Sequence, residues 1–166
     1  TDNNYWDASA QGDKSIIAHS KDSDSDGAYE VEIGSHWEIF ANQISTNLFA
    51  YIGYSENCNA TTIITNLSLL NTTSTLDMGA MFKATGYRNM TTLNLTGFDT
   101  TNVTNMEAMF NECGYLKMQT LTLSESFDTS NVTDMSSMFS GCGYTLMGSL
   151  TLPNTFDTSS VTDMSN

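Results

Sequence analysis

The run Asp22-Ser23-Asp24-Ser25-Asp26-Gly27 sets three carboxylates at alternate positions ahead of a glycine. Carboxylates so spaced suit a hard cation with oxygen ligands, and the run opens like an EF-hand calcium loop. That loop needs a bidentate glutamate at its twelfth position, which here is Ile33, so Glu30 or Glu32 would have to substitute from the chain that follows. The expected calcium ligands are therefore Asp22, Asp24, Asp26 and Glu30. The competing reading is an acidic, solvated hairpin turn closed by Gly27.

A second set of carboxylates, Asp99, Asp128 and Asp157, recurs at a step of 29 residues. Stacked repeats would bring such positions to about 4.8 Å, where like charges repel unless a cation lies between them. The preferred alternative is an Asx turn, in which each side chain bonds backbone amides. Cys113 and Cys142 keep the same step and are read either as a disulfide or as two small buried thiols. Cys58 has no in-register partner, and an odd count of three leaves at least one thiol free or paired outside the chain. His19 and His36 stand alone. Seven sequons, at Asn59, Asn66, Asn71, Asn89, Asn94, Asn102 and Asn131, are glycosylation candidates if the chain is secreted. No nucleophile–base pair, metal-ligand cluster or phosphate loop stands out, so an enzyme is not expected.

These residues are set out by a repeat. The string Phe-Asp-Thr-(Thr/Ser)-(Asn/Ser)-Val-Thr-(Asn/Asp)-Met begins at Phe98, Phe127 and Phe156, again 29 residues apart. A fixed period in this range marks units that bury their apolar faces against one another. Val103, Met106, Met109, Phe110 and Cys113 fall at offsets 0, 3, 6, 7 and 10, a stripe that predicts a short helix ended by Gly114. Val132, Met135, Met138, Phe139 and Cys142, followed by Gly143, repeat the pattern. Leu93 and Leu95, then Leu121 and Leu123, then Leu150 and Leu152 alternate inward and predict a short strand per unit. Its outward residues include Thr92, Asn94, Thr120, Thr122, Ser149 and Thr151, a face without charge.

The fold expected is an α/β solenoid, leucine-rich-repeat-like, with a period of 28–29 residues and one short strand and one short helix per repeat. A β-rich cap with the acidic loop would occupy 1–57, carrying Trp6, Trp37, Phe40, Leu48, Phe49 and Tyr51 as its apolar content. The solenoid would run over 58–166: a degenerate repeat at 58–77, repeats at 78–105, 106–134 and 135–163, and the start of an uncapped one at 164–166.

Composition limits the partners. Five basic residues stand against nineteen acidic ones, a formal net charge of −14. Displacing counterions from phosphate needs basic side chains, so nucleic acid is not an expected partner. An anionic membrane surface would repel the chain, and no apolar run reaches the roughly 20 residues of a membrane span. The chain opens at Thr1 without a basic-then-apolar leader and reads as a mature or trimmed product. Abundant Thr, Ser and Asn with few Lys suit an extracellular protein, secreted or at the cell surface.

The segment from Phe127 to Cys142, Phe-Asp-Thr-Ser-Asn-Val-Thr-Asp-Met-Ser-Ser-Met-Phe-Ser-Gly-Cys, resembles the repeat of bacterial surface proteins of the BspA type, which are leucine-rich-repeat-like. Trp6-Asp-Ala-Ser, Gly12 to Ala18, the acidic loop at Gly27 and Ile39-Phe-Ala-Asn resemble the region that often precedes such repeats. The resemblance implies an extracellular location and roles in adhesion, aggregation or surface display, and it supplies no catalytic residue. About three repeats are present, fewer than such proteins often carry. Two functions are expected to compete. One is a non-enzymatic surface protein binding protein or glycan ligands on other cells or matrix. The other is a subunit of a glycosylated filament, built by stacking the open end of one copy on the N-terminal cap of the next.

Overall fold

A computed structural model of the chain describes residues 4–7, 16–21, 30–35, 39–56 and 64–166, the first three segments by backbone alone. The chain forms two compact units, Thr1–Ile39 and Phe40–Asn166. In the first, β1 (Asn4–Asp7), β2 (Ile16–Lys21) and β3 (Glu30–Ser35) form an antiparallel sheet in that order. The β-branched content of β2 and β3 fits a pleated surface. Trp6 lies opposite Ala18, His19 opposite Glu32, and Lys21 opposite Glu30. Two strands were expected near these positions; β1 adds a third.

The second unit is a pile of like turns of chain. Parallel bridges join Ile44 to Asp77, Asp77 to Asn105, Asn105 to Asp134 and Asp134 to Asp163. From each bridge the next residues alternate in what their amides do. The N–H groups of Ala80, Phe82 and Ala84 donate to the carbonyls of Glu107, Met109 and Asn111 in the following repeat, at 2.7, 2.9 and 2.7 Å. The intervening Met81, Lys83 and Thr85 donate within their own turn, to Met78, Ala80 and Phe82. Ala108, Phe110 and Glu112 reach Ser136, Met138 and Ser140 in the same way.

The expected α/β solenoid with a helix in each repeat is therefore wrong. Among the described residues there is no α-helix, only the 3-10 turn Leu67–Leu69 and strands of two or three residues in this unit. Where a helix was expected, the backbone turns through the left-handed region every fourth residue, at Ala80 and Ala84, Ala108 and Glu112, Ser137 and Gly141. Spacing shows why. Phe49, Phe82, Phe110 and Phe139 stack ring on ring with centroids 5.2, 5.8 and 5.5 Å apart. Packed helices keep their axes 8–10 Å apart, so no helix fits between repeats this close. The apolar stripe at offsets 0, 3, 6, 7 and 10 serves a chain of four-residue turns as well as it serves a helix.

On the opposite side, β6 (Thr92–Asn94) and β7 (Thr120–Thr122) pair in parallel, Leu93 beside Leu121. The two-residue strands β4 (Ile39–Phe40) and β5 (Leu70–Asn71) also pair. The third expected strand, around Leu150, is irregular. Between the two sides lies one apolar core, with Met78, Phe82, Leu93, Phe98, Met106 and Phe110 buried in it. Each buried Phe, Leu or Met contributes about 1.5–3 kcal/mol relative to an exposed one. Of the apolar residues assigned to the cap, Phe49 stacks on Phe82 while Phe40, Leu48 and Tyr51 are exposed. Trp37 lies outside the described residues, as does the side chain of Trp6.

Candidate interaction surface

A 29-residue beat converts single side chains into ladders, and the polar ladders divide into those that hold the stack and those that face outward. The holding ladder is threonine. Thr72, Thr100 and Thr129 are buried, and their hydroxyls donate to the carbonyls of Asp99, Asp128 and Asp157 at 2.8, 2.7 and 2.8 Å. The Asp99 and Asp157 amides donate back to Thr72 and Thr129. Thr72 and Thr129 thus each satisfy two backbone groups of the next repeat, and Thr100 satisfies one.

The aspartates beside them form Asx turns. Oδ1 of Asp99, Asp128 and Asp157 accepts the amide of Thr101, Ser130 and Ser159, at 3.0, 2.8 and 2.8 Å. Hydrogen bonds from the Ser159 amide and then its side chain hold Asp157 below the ordinary carboxylate range. A second Asx ladder went unforeseen. Asp77, Asn105, Asp134 and Asp163 accept the amides of Gly79, Glu107, Ser136 and Ser165. Asn105 Nδ2 also donates to Asp77 Oδ1 at 3.2 Å, so an amide separates two carboxylates. The signal was an Asn or Asp before each repeated Met, at a step of 28–29. Ser165 holds Asp163 low as Ser159 holds Asp157.

Of the four expected calcium ligands only the backbone of Glu30 is described. Asp22, Asp24 and Asp26 lie outside the described residues, and Glu30 begins β3. No group of three His, Cys, Asp or Glu residues that could hold an ion occurs among the described residues. Cys113 and Cys142 are free thiols rather than a disulfide. Burial pushes the Cys113 thiol well up, with Cys142 adding to it, and pushes Cys142 up to about 12. Reactive cysteines need a lowered value, so these two are packing groups. Cys58 lies outside the described residues.

Two of the sequon asparagines tie neighbouring repeats together, and two others close turns of their own. Asn102 and Asn131 donate from Nδ2 to the carbonyls of Thr73 and Thr101, both at 2.8 Å. Asn94 accepts the Thr96 amide, and Asn71 accepts both amide and hydroxyl of Thr73. Asn66 is exposed at φ 59°, Asn89 is half-buried, and Asn59 lies outside the described residues.

Outward from the core, Thr92, Asn94, Thr96, Thr120, Ser149 and Thr151 are exposed and Thr122 is half-buried. Beside β7, Thr120, Thr122, Ser149 and Thr151 line a shallow groove of about 470 Å³ that also takes in Gln119 and Glu125. The face offers hydroxyl and amide groups at strand spacing and a single carboxylate at its rim. Its chemistry is hydrogen bonding to a ligand.

An aromatic ladder was also missed. Tyr87, Tyr115 and Tyr144 follow Gly86, Gly114 and Gly143, and their rings stack at 4.9 and 5.0 Å, tilted by 3° and 13°. The three glycines sit at φ 57°, 56° and 56°, and a Cβ on them would fall 2.2, 2.3 and 2.6 Å from Cβ of Met90, Met118 and Met147. Only glycine fits there, and it sets each tyrosine in line. Period-28 and period-29 Gly-Tyr pairs carried the signal.

Two overlapping segments, 55–143 and 115–166, match a family model described as "Mycoplasma protein of unknown function, DUF285". No curated protein and no solved structure matches the chain. Among the described residues, no helix is long and apolar enough to cross a membrane.

Proposed function

We propose that this chain, which belongs to the DUF285 family over residues 55–166, is a non-enzymatic extracellular or cell-surface protein that binds ligands through its strand face. The observation that carries the reading is the row Thr92, Asn94, Thr120, Ser149 and Thr151, exposed at strand spacing with no titratable group in it. Such a row pairs with hydroxyls and amides of a glycan or a protein strand and offers no acid, base or nucleophile. The net charge of −14 argues against nucleic acid. The BspA-type resemblance of the repeat supports adhesion or surface display. Binding of the purified chain to a glycan array and to immobilised matrix proteins tests this. A Thr92→Lys/Thr120→Lys variant should lose binding about ten-fold or more while its unfolding midpoint stays put. Binding unaffected by the pair, or a protein found only inside the cell by antibody labelling of intact cells, overturns the reading.

A second reading, a structural subunit that stacks on its own copies, is favoured by one edge. The carbonyls of Thr46, Leu48 and Ala50 accept no hydrogen bond among the described residues, and Ile44, Leu48 and Ile52 are exposed beside them. An unpaired edge with apolar neighbours is a template for another chain. Light scattering across a concentration series separates the two: particles growing with concentration favour stacking, and a constant monomer removes it.

A further inference from the structure

We propose that the tyrosine ladder is a site of oxidative cross-linking, at which Tyr115 couples to Tyr144 or Tyr87 and ties neighbouring repeats covalently. Two phenoxyl radicals join at ring carbons ortho to oxygen, and the new bond grows from orbitals perpendicular to each ring. Rings stacked face to face present those orbitals to one another. Tyr87–Tyr115 and Tyr115–Tyr144 are stacked so, at 4.9 and 5.0 Å and within 13° of parallel. Tyr54–Tyr87, at 5.2 Å, meets edge-on at 68° and does not.

The backbone holds the pairs in place. The Leu116 amide donates to the Tyr87 carbonyl at 2.9 Å, and the Thr145 amide to the Tyr115 carbonyl at 3.0 Å. Holding two reactants in such geometry replaces a bimolecular encounter. Rearomatisation then needs the rings to slide from stacked to edge-joined, and they stand at the surface: Tyr144 is 73% exposed, with Tyr87 and Tyr115 half-buried. The step requires peroxide and a haem peroxidase as oxidant, and it rests on the extracellular location proposed above.

The step balances. Each of two tyrosines gives one electron and its phenol proton, and hydrogen peroxide accepts both pairs to become two waters. The radicals combine into one carbon–carbon bond. The two protons left on the joined carbons pass through solvent to the two ring oxygens, restoring both phenols. The product is lighter than the starting chain by two hydrogen atoms.

The test treats the whole chain with a haem peroxidase and hydrogen peroxide, isolates monomer, and reads dityrosine fluorescence, intact mass and the cross-linked peptides. The expected result is monomer lighter by two hydrogens, with the link mapping to Tyr115–Tyr144 or Tyr87–Tyr115. Tyr115→Phe keeps a ring in the stack but removes both parallel phenol pairs, so dityrosine in the monomer should fall about ten-fold or more. Tyr54→Phe should leave it within about two-fold. Monomer without a cross-link, links that map elsewhere, or dityrosine only between chains overturns the proposal. The peptide map of the unaltered chain decides the matter even if a variant fails to fold.

Discussion

Thr100 shows how much one hydroxyl does here. It is fully buried, donates to the Asp128 carbonyl at 2.7 Å, and closes the gap between two repeats at a point where no water reaches. Thr100→Val keeps the shape and orphans that carbonyl, so urea unfolding should show a loss of about 1–3 kcal/mol. Thr101→Val, at an exposed neighbour, should stay within about 0.5 kcal/mol. Equal losses at the two sites would remove the threonine ladder as a source of stability. The thiols give the residue scale its pH dependence. Burial raises Cys113 and Cys142, so the stability they contribute is fully present below their ordinary value of 9.0 and, for Cys142, is lost as pH climbs through about 12. The unfolding midpoint should fall across that alkaline window, and Cys142→Ala should flatten part of the fall. A slope the variant does not change would contradict the assignment.

Elements in this chain are turns rather than helices, and glycine placement decides them. Gly114 at φ 56° has no room for a Cβ, which would sit 2.3 Å from Cβ of Met118. Gly114→Ala should therefore cost more than the about 1–2 kcal/mol of left-handed strain alone, measured by denaturation, and Gly148→Ala, with open space around it, should cost little. The period, the buried Met and Phe positions and the outward threonines of β6 and β7 were legible in the sequence because each depends only on spacing. The Asx role of Asp99, Asp128 and Asp157 was legible too, since Asp followed by Thr or Ser favours that turn. The helix was misread because apolar spacing does not report where backbone amides bond. Alternate amides here go to the next repeat, which the sequence marks only faintly, with Ala, Glu and Ser rather than glycine at most left-handed positions. The Tyr ladder escaped because its residues lie off the apolar stripe.

At the scale of the whole unit from Phe40 to Asn166, everything follows from repeats lying one strand apart on every side. That spacing aligns the phenylalanines inside, the tyrosines on one flank and the hydroxyl row on another, and the proposed binding face exists only because of it. The spacing in turn requires the left-handed residue at every fourth position. Ser137, at φ 54°, is such a residue outside the glycines, and its amide donates to the Ser165 carbonyl at 2.7 Å. The most direct measurement is the urea unfolding midpoint of Ser137→Gly. Stacked turns predict a rise worth about 1 kcal/mol, because glycine relieves left-handed strain. A helix at this position would predict the reverse, a fall of about 1 kcal/mol, and that fall would contradict the account.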